Sequence, residues 1–117
     1  MSNVLTKTNL IAQEKALEAA GIAIALVMRV PAPMKSIADQ AIRAASSVPA
    51  NLAEGHGRIG RDRAYHWRIA YASAKEVDCH LRILCSTGAI QRGKATIALQ
   101  LFDEVRAITW RLLHPNP

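Results

Sequence analysis

Prolines and glycines punctuate this chain at intervals that leave four long uninterrupted stretches. Pro31 and Pro33 follow Val30, and Gly55, Gly57 and Gly60 follow Glu54. Gly88 and Gly93 follow Thr87, and the sequence closes on His114-Pro115-Asn116-Pro117. Proline has no backbone N–H and its ring crowds the preceding turn, while glycine loses the most backbone freedom on becoming helical, so both divide helices. Each stretch is long enough for several helical turns and the connections between them are short. Short connections make consecutive helices antiparallel neighbours. The punctuation therefore predicts an all-α, antiparallel up-down-up-down four-helix bundle, with residues 1–117 as one domain. Its helices are expected near 8–30, 34–56, 61–87 and 94–114, with ends uncertain by about two to four residues.

The apolar spacing agrees with helices. Half of the residues are hydrophobic but only 4% are aromatic, so Ala, Leu, Ile and Val must build the interior. No segment alternates at period two for long enough to form a strand. The first helix is expected to bury Leu10, Leu17 and Ile24, with Ile11, Ala20, Val27 and Met28 widening the stripe. The second offers Ile37, Ala41, Ala44, Ala45, Val48 and Leu52, and the third Ala70, Ala74, Val77, Leu81 and Leu84. The fourth repeats Ile97, Leu101, Val105, Ile108 and Leu112. Two regions exceed what one bundle can cover. Residues 19–28 carry no charge on any face, and Leu99, Phe102, Trp110 and Leu113 fall outside or at the margin of the fourth stripe. A surplus of this kind predicts subunit contacts, with Ile22, Leu26, Leu99, Phe102 and Trp110 at a homo-oligomer interface.

Residues 42–58 hold the densest local pattern. A helix is expected up to Ser47 and again from Pro49 to Glu54, with a kink or a fresh start at the proline. Ser46 and Ser47 stand where they can cap that start or bond backbone groups the proline frees. Asn51 and Glu54 lie three residues apart on one side of the helix, placed for a polar network between helices. Gly55 and Gly57 end the element.

The formal net charge is +6, which favours an acidic partner, nucleic acid first and an anionic membrane surface second. Arg61, Arg68, Lys75 and Arg82 recur every seven residues and drift only ~20° per repeat, making a ridge roughly 30 Å long on the third helix. Arg58 and Arg63 thicken its start. Such a ridge suits a phosphate backbone, because each neutralised phosphate releases counterions. The competing reading is a solvated face, with Asp78 and Arg82 paired one turn apart. Tyr65, Trp67 and Tyr71 are close enough to stack bases but are read as packing residues.

Other chemistry finds no constellation. His66 and His80 share a helix face but stand about 21 Å apart, too far to hold one ion. Cys79 and Cys85 point away from each other on one helix, so they form no disulfide there and read as buried reduced thiols. A hydrolytic or redox role for Ser47, His56 or Cys79 would need an oriented partner that the sequence does not supply. No phosphate-binding glycine loop follows a strand. The expectation is a non-enzymatic protein without metal or cofactor. Residues 1–7 lack a signal layout and residues 19–28 fall short of the ~20 residues a membrane span needs, so a cytoplasmic protein without a membrane partner is expected.

Arg43, Ala44, Ala45, Ser47, Pro49, Asn51, Ala53, Glu54 and Gly55 match a pattern of arginine, two alanines, Ser, Pro, Asn, Ala, Glu and Gly. A second, weaker match runs through Ile69, Ala70, Ser73 and Glu76. With these motifs the chain resembles a family of small bacterial four-helix bundles known for 23S rRNA intervening-sequence proteins. The same family includes the accessory variability determinants of diversity-generating retroelements. The similarity covers most of the chain and is strongest from Gln40 to Leu84. It implies a ring-like homopentamer with basic surfaces, and, for retroelement members, binding to nucleic acid and to a reverse transcriptase. Residues 58–68 depart from the family's usual acidic-aromatic pairing, and Ala72 stands where glycine is common. The reading that emerges is an oligomeric accessory or scaffold protein binding RNA or DNA through basic surfaces. Its alternative is a scaffold for protein partners alone.

Overall fold

A computed structural model describes the backbone of residues 2–115 and the side chains of residues 7–115. Met1, the side chains of residues 2–6, and Asn116 and Pro117 of the terminal proline stop lie outside the described residues. The elements are α1 (Ser2–Val27), a single 3-10 turn (Ala32–Met34), α2 (Lys35–His56), α3 (Gly60–Ser86) and α4 (Arg92–Leu113). Among the described residues there is no strand. α1 packs on α2 and α4, and α3 packs on the same two helices, so the four form a closed square of antiparallel neighbours. The long dimension is 47 Å against 23 and 20 Å across. A 27-residue helix rising ~1.5 Å per residue accounts for most of that length.

The punctuation works largely as expected. Pro31 and Pro33 bracket the turn between α1 and α2, and Gly88 takes a positive φ of 81° in the turn before α4, where a Cβ would be strained. The start of α1 differs, since the helix already runs at Ser2 rather than near residue 8. Nothing in residues 2–7 breaks a helix, and Ser2 and Asn3 are residue types that suit a helix start.

The core of α2 and α3 lies where the spacing placed it. Ala41, Ala44, Ala45, Val48 and Leu52 are buried, as are Ala70, Ala74, Val77, Leu81 and Leu84, while Ile37 is half-buried against them. α1 meets the expectation only in part: Ala20 and Val27 are buried and Ile24 is half-buried, but the large residues expected beside them are not. It buries Ala12, Ala16, Ala19, Ala20, Ala23 and Val27, and turns Leu10, Leu17 and Met28 outward, with Leu17 62% and Met28 71% exposed. Leu52, Leu81, Leu84 and Phe102 from the other helices already fill the interior, so α1 can approach only with small side chains. Residues 19–28 are consequently not covered on all sides, because Gly21, Ala25 and Met28 face out.

In α4 Val105 is buried as expected and Leu101, Ile108 and Leu112 are half-buried, but the fully buried line runs one residue further round the helix at its other positions. Ala95, Ala98, Phe102, Val105 and Thr109 are buried, and Ile97 is exposed. Phe102 is fully buried in the chain's own core and offers no surface to a second subunit. Ile22, Leu26 and Leu99 are half-buried against that core. The buried Thr109 hydroxyl donates to the Val105 carbonyl at 2.7 Å, which satisfies it within its own helix. Of the two thiols only Cys85 is buried; Cys79 is exposed, on the solvent side of α3.

Candidate nucleic-acid interface

Two regions carry the polar residues that the sequence singled out. The first is the seam between α2 and α3. α2 runs unbroken through Pro49, so the expected restart does not occur. Pro49 is buried and leaves the Ala45 carbonyl without its usual helical donor. Side chains add bonds on either side of the gap: Ser46 Oγ donates to the Arg43 carbonyl at 3.1 Å, and Asn51 Nδ2 donates to the Ser47 carbonyl at 2.9 Å. Asn51 Nδ2 also reaches Ser47 Oγ at 3.0 Å, and Ser73 Oγ donates to the same oxygen at 2.9 Å. Because the Asn51 amide nitrogen faces an acceptor, its Oδ1 is the atom turned to His66 Nδ1, 3.0 Å away. His66 therefore carries its proton on Nδ1. Ser47, Asn51, His66 and Ser73 form one chain of hydrogen bonds that fixes α2 against α3.

Glu54 is not part of that network. It is exposed and accepts from Arg58 Nη2 at 3.0 Å; the Arg58 guanidinium holds the Glu54 carboxyl below its usual range, first by that hydrogen bond and then by charge. Gly55 has a separate task. A Cβ there would come within 2.5 Å of Trp67 Cδ1 and Nε1, so only glycine admits the buried indole. Trp67 Nε1 has no hydrogen-bond partner among the described residues. Arg63 closes this end of the bundle, donating from Nε to the Gly55 carbonyl at 3.1 Å and from Nη2 to the His56 carbonyl at 3.2 Å. Its guanidinium also lies 5.3 Å from the Trp67 ring centroid. Arg63 thus caps the carbonyl end of α2, where a cation is favoured, and is turned away from the ridge it was expected to thicken. On the same end Asn9 Nδ2 lies 2.7 Å from His56 Nδ1, which ties α1 to α2.

The second region is the outer face of α3 and α4. Arg61, Arg68, Lys75 and Arg82 are all exposed along α3. Arg82 Nε donates to Asp78 at 2.7 Å, which raises the guanidinium above its ordinary value; Arg61 and Arg68 make no ion pair among the described residues. Arg58 is engaged at the start of α3 by Glu54 and, at 3.9 Å, by Asp62. Beside the ridge runs an open groove of about 610 Å³, walled by Tyr71 and Lys75 from α3 and by Asp103, Arg106, Trp110 and Arg111 from α4. Lys75 Nζ lies 5.8 Å from the Tyr71 ring centroid, and Arg106 pairs with Asp103. Trp110 is 48% exposed, with His114 stacked on it at 4.2 Å between centroids and 22° between planes. Of the other aromatics, Trp67 is buried and Tyr65 is exposed edge-on to His66.

No sequence pattern ties Arg106 and Arg111 to the α3 ridge. The association of Arg106 and Arg111 with Lys75 depends on the register of α4 against α3, which a repeat within one helix does not reveal. Among the described residues no group of His, Cys, Asp or Glu is arranged to hold a metal ion. No described helix is long and apolar enough to cross a membrane.

A protein of unknown function from the S23 ribosomal protein family of Bacteroides thetaiotaomicron VPI-5482 has a similar crystal structure, with a TM-score of 0.82 at 22% identity. The alignment covers 92% of this chain and 98% of that one, so the two share the bundle fold. No match is found among curated proteins. The model of the 23S rRNA-intervening sequence protein family matches residues 8–111, nearly the whole bundle, and the chain belongs to that family.

Proposed function

We propose that this protein binds nucleic acid non-enzymatically through the outer face of α3 and α4. The observation that carries the reading is the exposed row Arg61, Arg68 and Lys75, continued across the groove by Arg106 and Arg111. These cations stand on two rigid helices, and the carboxylates among them, Asp78 and Asp103, are already engaged by Arg82 and Arg106. Contacts of this kind are made to phosphates, so affinity is largely blind to sequence and falls steeply with salt. The Ser47, His56 and Cys79 that an enzymatic reading would need are dispersed. Ser47 is committed to the α2–α3 seam, His56 to Asn9, and Cys79 stands exposed on α3. Replacing Arg61, Arg68 and Lys75 by Glu should leave the helical circular dichroism intact and abolish anisotropy-detected binding to RNA or DNA at low salt. Binding as tight as the parent's would overturn the reading.

A specific observation also favours self-association. Leu10 and Leu17 project from α1 and Met28 from the turn after it, and Leu17 borders an apolar groove of about 520 Å³ formed with Ala20, Pro49, Ala50 and Ala53. A second copy of the chain is the occupant this reading assigns, and the family resemblance favours a ring of five. The contact then lies on α1 and α2, opposite the charged face, and each subunit of a ring repeats that face to raise the effective concentration of phosphate sites. Light scattering should give a mass several times that of the chain for the parent and a monomer for Leu17→Glu. A monomeric parent at micromolar concentration would reject it.

A further inference from the structure

We infer that the groove between α3 and α4 is a nucleobase site, making the charged face a receptor for single-stranded nucleic acid in particular. The inference rests on the phosphate-binding reading above and adds to it the part of the ligand that enters the groove. Trp110 is a large apolar side chain left about half exposed on a wall otherwise lined by charge. It is also held in place. His114 Nδ1 donates to the Trp110 carbonyl at 2.9 Å, so the imidazole is anchored to the same turn of helix whose indole it stacks on. The result is a preformed flat surface at the end of α4, which loses little freedom when a second flat group packs beside it. Tyr71 stands on the opposite wall, with its ring beneath the Lys75 ammonium.

A ligand suited to this groove must be flat and aromatic at one point and anionic on both sides of it. Lys75 supplies positive charge from α3 and Arg111 from α4, while Arg106 is paired with Asp103 on the same wall. An unpaired nucleotide has that composition: its base stacks on the aromatic wall while the phosphates on either side meet the cations. In a duplex the base faces are already stacked and cannot reach Trp110, so the groove distinguishes strands by pairing rather than by sequence. An acidic peptide would satisfy the cations but leave the aromatic surface without a planar partner.

The test uses the full chain and three fluorescent probes of about twelve nucleotides. These are an oligo-A RNA strand, a strand of equal length in which every base is replaced by an abasic site, and a mixed-sequence duplex. The parent should bind the base-bearing strand about tenfold more tightly than the abasic one, in line with the usual size of one aromatic–base contact. Trp110→Ala should bring the base-bearing strand to the abasic level and leave abasic and duplex binding where they were. Trp110→Phe should keep part of the difference. Arg68→Glu, in contrast, should weaken all three probes together. A ratio of base-bearing to abasic affinity that Trp110→Ala does not change would overturn the base site, while salt-sensitive binding of the abasic strand would still stand as support for the charged face. If the parent binds none of the probes at low salt, both proposals fail.

Discussion

The α2–α3 seam and the α3–α4 face share helix α3 yet differ in how their polar atoms are used. In the seam, Ser47, Asn51, His66 and Ser73 bond to one another, and Arg63 bonds to backbone carbonyls. Nearly every donor has a partner inside the chain. On the outer face Arg61, Arg68 and Arg111 have no ion pair among the described residues, and the Trp110 indole stands partly in solvent. Satisfied polar groups specify how helices pack; unsatisfied charge beside an exposed aromatic is free for a ligand. The motif by which the sequence announces its family, from Arg43 to Gly55, thus serves mainly the fold, and the face proposed to bind lies elsewhere.

That contrast is broken most severely at Gly55. Gly55→Ala drives a methyl group against the buried Trp67 indole, and overpacking of this type costs about 1–3 kcal/mol. Thermal denaturation should show a Tm lowered by about 4 °C for each kcal/mol in a domain of this size, with nucleic-acid affinity retained below the transition. An unchanged Tm would mean that the close approach of the indole is not needed. Asn51→Ala should come next. It strips His66 Nδ1 and Ser47 Oγ of a partner at a half-buried site, for a loss of about 1–3 kcal/mol in urea unfolding. The equivalent loss at Arg63 should be about 1 kcal/mol, since Arg63→Ala removes donors from the terminal carbonyls of α2. If Arg63→Ala instead weakened RNA binding as much as Arg68→Glu does, Arg63 would belong to the outer face after all.

The smallest effect is expected from acid. Arg58 holds the carboxyl of Glu54 below its usual value of 4.5, so the folded form favours the ionised side chain. The pair adds stability above the ordinary carboxylate range and loses it as pH falls through the lowered folded value. Both groups are largely exposed, so the gain is slight and screened by salt. In an NMR titration Arg58→Ala should return the Glu54 midpoint toward 4.5, and a midpoint that does not move would remove Arg58 as its cause.

Much of the fold was legible because proline and glycine act locally. Pro31, Pro33 and Gly88 mark turns whatever surrounds them, and the helices between them followed. The α2 and α3 cores were legible because each has a single apolar stripe. α1 has two, one of alanine and one of leucine, and the choice between them depends on how much room Phe102, Leu81 and Leu84 leave. Ranking by size selects the wrong stripe there. The ridge on α3 could be read from its seven-residue period, but not the engagement of Arg63 by α2. The signal available for that was a cation soon after a glycine stop, where it can reach the last carbonyls of the preceding helix. The α4 half of the groove had no local signal, because Arg106 and Arg111 meet Lys75 only through packing.

If position rather than total charge makes the binding surface, two charge-matched variants should behave differently. One reverses Arg61, Arg68 and Lys75 to Glu; the other reverses the exposed Arg29, Lys35 and Lys94, which lie off the α3–α4 face. Three reversals remove six units in each case and bring the formal net charge from +6 to zero. Anisotropy with a single-stranded RNA, followed from low to moderate salt, should show binding lost in the first variant. The second should stay close to the parent in affinity, with a shallower salt dependence at most. Equal loss in both variants would rule out a defined binding face and leave only a diffuse attraction between a basic protein and an acidic polymer.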